Sequence, residues 1–141
     1  MTIRVVATVL VPGAAVGPVL ALAEPLSLWG GVDPESGLIV EPSHADRGRS
    51  IAGRIVAMPA ARGSSSSSSI LAELLRAGLG PLAIVLGERD EILVVGAVVA
   101  GELYGVTCPV LLPTVDDYVQ VAGVQAATIE PDGTIVEIEP D

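Results

Sequence analysis

Apolar residues of this chain fall in short runs that glycine or proline soon interrupts. Sixteen glycines and eleven prolines are spread over 141 residues. Aromatic residues amount to 2% and phenylalanine is absent, so the core has to be built from valine, isoleucine, leucine and alanine. Aliphatic segments between turn-forming residues favour short strands joined by tight turns and argue against an all-helical bundle. The length fits one domain, and we predict a single domain spanning residues 1–141.

The order of the apolar segments predicts an α/β domain. Leucine and isoleucine recur at helical spacing from Ile70 to Leu75, and Gly78 follows as a stop signal. Asp90 is suited to cap a second, valine-rich helix. Antiparallel ribbons are expected at both ends, the first turning at Pro12-Gly13. In chain order, the predicted strands cover 3–11, 18–24, 38–40, 50–59, 81–87 and 108–113, the helices 70–78 and 90–105, and the C-terminal hairpin 124–139.

Charge and cysteine content exclude several function classes. The net charge is −10, with 17 acidic residues against seven arginines and no lysine, so the chain would repel a nucleic-acid backbone. A single cysteine, Cys108, forms no internal disulfide and is expected to be buried packing. One cysteine and one histidine are too few to hold zinc or an iron–sulfur cluster. We therefore predict no metal site in this chain, and any metal must be held mostly by another chain.

The N-terminal segment imitates a secretory signal peptide. Arg4 is followed by nineteen uncharged residues that end in Ala21-Leu22-Ala23. Turn-forming residues break this stretch, at Pro12, Gly13, Gly17 and Pro18. The breaks favour two strands over a signal peptide or a membrane-spanning helix, so we expect a cytoplasmic protein without a membrane segment.

Six consecutive serines, Ser64 to Ser69, lie between a predicted strand and a predicted helix. The first N–H groups of a helix have no partners inside it and favour negative charge, so Ser64 and Ser65 lie where a carboxylate or an ionised hydroxyl would be stabilised. Gly63 would allow close approach of a ligand to the backbone, and Arg62 adds a positive charge suited to a carboxylate. A flexible linker or ordinary helix capping explains the serines equally well.

Three segments resemble the small, swivel-domain subunit of the aconitase X group: residues 24–40 ("EPLSLWGGVDPESGLIV"), 50–68 ("SIAGRIVAMPAARGSSSSS") and 96–111 ("GAVVAGELYGVTCPVL"). The resemblance implies an aconitase-like swivelling β/β/α domain. It also implies that this domain closes over an active site held mainly by a larger, cysteine-bearing subunit, in which iron or an iron–sulfur cluster is expected. No cofactor is expected in the chain itself.

The resemblance also implies roles for individual residues. Gly63-Ser64-Ser65 matches the Gly-Ser-Ser junction of the aconitase superfamily, in which a serine removes a proton from the substrate carbon. Ser64 is therefore the candidate general base and Ser65 a candidate substrate ligand, although a register shifted by one residue would exchange them. Aconitases place a carboxylate-binding arginine after the serine pair, whereas this chain has Ser66 there and carries Arg62 before the glycine.

The residue block that precedes the serines supplies further candidates. Ser27 and Asp33 are candidate substrate-binding residues, with turn capping as the alternative for each. Trp29 is expected to pack the loop or a subunit interface. His44 is expected to be solvated in a polar turn, although a ligand or proton-carrying role stays open. Asp116-Asp117 is expected to be a solvated pair.

The function implied is that of a hydro-lyase subunit that supplies a serine base and is inactive without its large subunit. The resemblance allows two small hydroxy-acid substrates, cis-3-hydroxy-L-proline and mevalonate 5-phosphate. The scarcity of basic residues favours the proline derivative. A non-catalytic binding or regulatory module that keeps the swivel fold is the alternative.

Overall fold

The computed structural model describes residues 2–140, and its strands form one mixed sheet. The strand order is β1-β8-β7-β3-β4-β5-β6-β2. Strands β3, β4, β5 and β6 run parallel to one another, and the remaining neighbours are antiparallel. The strands are β1 (Arg4–Val6), β2 (Thr8–Val11), β3 (Ala15–Ala21), β4 (Ile55–Met58), β5 (Ala83–Leu86), β6 (Val110–Leu112), β7 (Ala126–Ile129) and β8 (Thr134–Glu137).

The two edge strands of this sheet are neighbours in the chain. Only Ala7 separates β1 from β2, yet β1 pairs with β8 and β2 pairs with β6. The sheet must therefore curl until its edges nearly meet. The predicted N-terminal ribbon is wrong in this respect: β3 pairs with β4 and β7 and has no pairing with the first two strands. Apolar patterning identifies strands, but it does not identify their partners.

The C-terminal hairpin is confirmed, whereas the short strand at 38–40 is not. β7 and β8 pair in antiparallel register around the Pro131-Asp132-Gly133 turn. Residues 38–40 make only isolated bridges, from Leu38 to Ser50 and from Ile39 to Val32. The segment from 22 to 54 is accordingly one long shaped connection between two parallel strands.

Between residues 2 and 140, four helical segments accompany the sheet: α1 (Leu28–Gly31), α2 (Ser67–Arg76), α3 (Glu91–Tyr104) and α4 (Val115–Ala122). In α1, Trp29 and Gly30 depart from helical dihedral angles, so this segment is a turn rather than a regular helix. As predicted, Asp90 caps α3 by accepting from the Leu93 N–H at 2.8 Å. α2 and α3 pack closely, since a Cβ added at Gly96 would lie 2.7 Å from the Ser68 carbonyl oxygen.

Helix α4 was not predicted from the sequence. The Thr114 hydroxyl caps it by accepting from the Asp117 N–H at 3.2 Å. Asp116 and Asp117, expected as a solvated pair, lie in its first turn, where the helix dipole favours carboxylates. Thr114 followed by Asp116 and Asp117 is a signal for the start of a helix. It was not recognised because the apolar pattern that follows is short.

Aliphatic cores lie on both faces of the central strands. Along β4, Val56 and Met58 join the core under α2 and α3, while Ile55 and Ala57 join a second core that includes Val121 of α4. Burial on both faces is typical of parallel strands and explains their uninterrupted apolar sequences. The connections that leave the carboxyl ends of β3, β4 and β5 meet at one edge of the sheet, which is the usual place for a ligand site.

Candidate functional site

The serine run lies at the N-terminus of helix α2, as predicted, but the helix begins within the run and not at Ile70. Helix α2 starts at Ser67, so the serines lie directly at its N-terminus. The Ser64 hydroxyl oxygen accepts a hydrogen bond from the Ser66 N–H at 3.1 Å, and the Ser64 carbonyl accepts from the Ser67 N–H at 3.0 Å. The first of these bonds closes a turn just before the helix, and the same bond would stabilise an ionised Ser64 hydroxyl.

Neighbouring serines have different roles in this structure. Ser65 is exposed, and within residues 2–140 its hydroxyl has no hydrogen-bond partner. The Ser68 hydroxyl donates to the Ser65 carbonyl at 2.9 Å. Ser67 is buried, and its hydroxyl oxygen accepts from the Trp29 N–H at 3.1 Å. Nothing in the sequence distinguishes these serines. In the structure, the Ser65 hydroxyl is available to a ligand, whereas the Ser67 hydroxyl holds the α1 turn through the Trp29 N–H.

The α1 turn is pressed against the glycine that precedes the serines. Gly63 has φ +101°, and a Cβ added to it would lie 2.2 Å from Ser27 Oγ. The Ser27 hydroxyl donates to the Trp29 carbonyl at 2.8 Å. Gly63 thus permits a close approach, as expected, but the approaching group is Ser27 of the same chain. Through this contact the turn and the serine junction form one unit.

A cavity of about 130 Å³ opens at this junction. Besides Ser64, Arg62 and Gly63, its polar lining includes Asp90, which sequence analysis identified only as a helix cap. Asp90 reaches the cavity because the loop after β5 ends beside the loop after β4. The complete lining is Leu26, Leu28, Ala61, Arg62, Gly63, Ser64, Ser67, Asp90, Ile92 and Leu93.

Arg62 lines the cavity but already has a carboxylate partner. Its Nη2 lies 2.9 Å from each carboxylate oxygen of Glu41. Glu41 comes from the long connection that precedes β4, and nothing in its sequence context marks it as a partner. The pair ties that connection to the serine junction and engages only one of the three guanidinium nitrogens.

Asp33 lies beside a different opening. A groove of about 410 Å³ is lined by Trp29, Gly30, Val32, Asp33, Pro34, Val40 and Ile70. The Asp33 carboxylate accepts from the Glu35 N–H at 3.0 Å and from the Ser36 hydroxyl at 2.8 Å. Both bonds lower the pKa of the Asp33 carboxyl below its ordinary value, and the bond from the Glu35 N–H has the larger effect. Asp33 is therefore a charged turn-capping residue, and it does not line the cavity that contains Ser64.

The expectation that His44 is solvated is wrong. The ring is 4% exposed, and its Nδ1 accepts from the Asp46 N–H at 3.0 Å. Its Nε2 lies 3.3 Å from the Glu24 carbonyl oxygen, which fits the tautomer protonated at Nε2. The Asp46 carboxylate accepts in turn from the Ala23 N–H at 3.0 Å, so these polar side chains fasten a turn-rich loop to the end of β3.

Glu24, Glu41 and His44 form a cluster with the side-chain types of a metal site. One donor atom from each lies within 4.8 Å of the others. Protein groups already occupy these atoms: the Ala45 N–H donates to Glu24 at 2.9 Å, and Arg62 holds Glu41. These bonds, together with those on both ring nitrogens of His44, give the three side chains a structural role in the loop.

Cys108 is confirmed as buried packing. The residue is 1% exposed, and burial raises the pKa of its thiol to about 12. A thiol in this environment stays protonated and is a poor metal ligand. Within the described part of the chain, the serine cavity is lined by no cysteine or histidine, so it does not offer the ligand set of an iron or iron–sulfur centre.

Solved structures share this architecture over nearly the whole chain. The crystal structure of Thermococcus kodakaraensis aconitase X in its holo form superposes with a TM-score of 0.82 at 27% identity, covering 97% of this chain and 99% of that chain. A solution NMR structure of a UPF0107 protein gives 0.83 at 27% identity, covering 97% and 100%. The fold is accordingly the swivelling α/β domain of aconitase X-type proteins.

The family model of the aconitase X swivel domain matches residues 4–138, and the chain belongs to this family. Among the curated relatives is a Pseudomonas aeruginosa cis-3-hydroxy-L-proline dehydratase, 46% identical over 106 residues that cover 75% of this chain and 18% of the relative. The Hypocrea jecorina cis-3-hydroxy-L-proline dehydratase is 36% identical, covering 94% and 22%. The chain thus spans about a fifth of these two proteins.

A relative of matching length is the phosphomevalonate dehydratase small subunit of Thermococcus onnurineus. It is 34% identical over 132 residues that cover 92% of this chain and 94% of the relative. Within residues 2–140, no helix combines the length and the apolar character needed to cross a membrane.

Proposed function

We propose that the chain is the small, swivelling subunit of a two-subunit aconitase X hydro-lyase, and that Ser64 is its general base. The observation that supports this most directly is the Ser64 hydroxyl at the N-terminus of α2, on the wall of a cavity beside Arg62. The relatives are named as dehydratases or as the small subunit of one, which supports the reaction class.

The base chemistry follows from the local geometry. The Ser66 N–H and the positive end of the α2 dipole both favour an ionised oxygen at Ser64. Such an oxygen accepts the proton from the carbon next to the substrate's electron-withdrawing group. The C–H electron pair becomes the new carbon–carbon double bond while the hydroxyl group departs, so the net products are the dehydrated acid and water.

Further residues of this chain and the larger subunit are proposed to complete the active site. Ser65 and Arg62 are proposed to hold the substrate, with the Arg62 charge shared between Glu41 and a substrate carboxylate. Ser27 is proposed to position the turn that carries Trp29 against Gly63, whereas Asp33, which lines the separate groove, would reach substrate only from there. An iron or iron–sulfur centre in the larger subunit would act as a Lewis acid on the leaving hydroxyl. Closure of the swivel domain would bring the two halves together and exclude water.

The substrate we favour is cis-3-hydroxy-L-proline rather than mevalonate 5-phosphate. Sequence identity does not separate the two, since the Pseudomonas aeruginosa and Hypocrea jecorina cis-3-hydroxy-L-proline dehydratases are 46% and 36% identical to the chain and phosphomevalonate dehydratase small subunits are 34% to 42% identical. Arg62 is the one cation that lines the serine cavity among residues 2–140, which suits a carboxylate better than a carboxylate together with a phosphate. Turnover of both compounds by the reconstituted complex decides between them.

The test of the base is steady-state kinetics of the complex with Ser64→Ala. We expect turnover to fall by about 10² to 10⁴ with KM little changed, as is typical when a general base is removed. Exchange of the abstracted proton in heavy water should be lost as well. Ser68→Ala is the control, because its hydroxyl only bonds the Ser65 carbonyl. An inactive Ser65→Ala with an active Ser64→Ala would move the base by one residue, and full activity in both would show that neither serine is the base.

The chain by itself is expected to show no dehydratase activity and to bind no stoichiometric iron. Its one cysteine is buried and its one histidine is engaged on both ring nitrogens. Iron analysis and turnover are measured before and after adding the larger subunit. Activity in the isolated chain would contradict the two-subunit proposal.

A further inference from the structure

Helix α3 presents apolar side chains to solvent on the side that faces away from the sheet. Val95 and Val98 are 50% and 47% exposed, and Ile92 next to them is half-buried. The opposite side of the helix is fully packed, with Leu93 and Ala97 in the core beneath it. An outer helix surface is normally polar, so this apolar stripe needs a partner. We call Ile92, Val95 and Val98 the α3 face.

The α3 face is continuous with the candidate active site. A groove of about 210 Å³ separates α3 from the start of α2, and it is lined by Ser65, Ser68, Glu91, Ile92 and Val95. Ile92 also lines the cavity that contains Ser64. A protein that covers Ser64 from outside would therefore contact the α3 face at the same time.

We propose that the α3 face is the docking surface for the larger, metal-bearing aconitase X subunit. The inference rests on the proposed function, which requires that subunit to cover Ser64. The lengths of the relatives support this occupant, since the swivel region accounts for only 18% of the Pseudomonas aeruginosa dehydratase and 22% of the Hypocrea jecorina enzyme. In these proteins a far larger remainder of the same chain accompanies the swivel region.

A second apolar surface provides a matched control. Val119 on α4 is 65% exposed, more than Val95. Helix α4 packs on the other core, because its buried Val121 belongs to the cluster on the opposite face of the sheet from α3. Val95→Asp and Val119→Asp add the same charge to an exposed helical valine, but only the first lies beside the serine cavity.

The experiment measures binding of the larger aconitase X polypeptide from the same organism by isothermal titration calorimetry. We expect Val95→Asp to raise Kd about tenfold or more, as loss of a central interface contact does, and Val119→Asp to leave it unchanged. Val95→Ser is the second variant, with a smaller loss expected. Circular dichroism and thermal unfolding confirm that each variant is folded.

The outcomes separate this inference from the proposed function. Ser64→Ala should bind the larger polypeptide normally while losing turnover. Wild-type affinity in both Val95 variants would overturn the docking surface and leave the function standing. Val95→Asp could also abolish self-association of the chain while binding of the larger polypeptide persists. That result would identify a second copy of this chain as the occupant and would overturn the inference. Failure of the wild-type chain to bind would overturn both proposals.

Discussion

The Trp29 backbone N–H donates to the Ser67 hydroxyl across 3.1 Å, although the two residues are 38 positions apart in the chain. Ser67 is buried and opens helix α2, whereas Trp29 belongs to the α1 turn of the preceding connection. This bond fixes the turn against the helix end that carries Ser64. The precision of the candidate active site therefore depends on a serine that does not touch substrate in our proposal.

Ser67→Ala is expected to destabilise the fold by about 1–3 kcal/mol, because it leaves the Trp29 N–H without its acceptor. Turnover of the reconstituted complex should fall as well, since the α1 turn loses its anchor. Ser68→Ala is the matched variant, and its exposed hydrogen bond predicts a change within about 0.5 kcal/mol. Urea unfolding and kinetics of both variants check this. Equal effects of the two substitutions would contradict the anchoring role.

Gly63→Ala is expected to displace the α1 turn. The new Cβ would lie 2.2 Å from Ser27 Oγ, and the φ of +101° adds a backbone cost of about 1–3 kcal/mol. Gly48→Ala shares the backbone cost, at φ +90°, without any atom within 4 Å of the new Cβ. Activity should therefore fall with Gly63→Ala alone. Adding Ser27→Gly should restore part of it by removing the clash, and a silent Gly63→Ala would show that the turn adapts freely.

The Arg62–Glu41 pair predicts opposite effects on substrate binding. Arg62→Gln should raise KM about tenfold or more, because a hydrogen bond to a charged group is worth about 1.5–3 kcal/mol. Glu41→Gln should lower KM, since it removes the carboxylate that competes for the guanidinium. Steady-state kinetics at low and high salt measure both. If neither variant changes KM but both reduce stability, Arg62 only positions the loop.

Cys108 is expected to resist alkylation in the folded protein and to react in denaturant. Burial raises the pKa of its thiol to about 12, so little reactive thiolate is present at neutral pH.

The same buried thiol predicts a pH dependence of stability. The Cys108 thiol of the unfolded chain ionises near its ordinary pKa, so unfolding releases a proton at alkaline pH. Stability should consequently decline as pH rises above about 9 toward 12. Burial also raises the pKa of the Tyr118 hydroxyl to about 12, which adds to this decline in stability. Iodoacetamide labelling and unfolding at several pH values test both parts.

Local signals in the sequence predicted those parts of the fold that neighbouring residues determine. Asp90 caps α3 as predicted, and the predicted segment ends at Gly105, whose left-handed backbone ends the helix; both capping and left-handed backbone are properties of single positions. The serine junction was located for the same reason, since α2 begins within the run. The resemblance to aconitase X then supplied the candidate base, which composition alone does not identify.

Features that depend on distant contacts were missed. The burial of His44 depends on Glu24, twenty residues earlier, and the fate of Arg62 depends on Glu41. The strand pairing was missed for the same reason. The sequence of β1 and β2 resembles that of one continuous strand, but the two segments on either side of Ala7 pair with β8 and β6. Asp90 entered the serine cavity only because β4 and β5 lie side by side.

The single residue between β1 and β2 has a consequence for how the chain acquires its structure. Because β1 pairs with β8, Arg4 finds its partner Val136 only after more than 130 further residues have been synthesised. Contacts so distant in sequence are costly to close and slow the search for the native state. A ribosome-bound chain that still lacks the last hairpin would leave the backbone of β1 unpaired, where chaperones or aggregation partners find it.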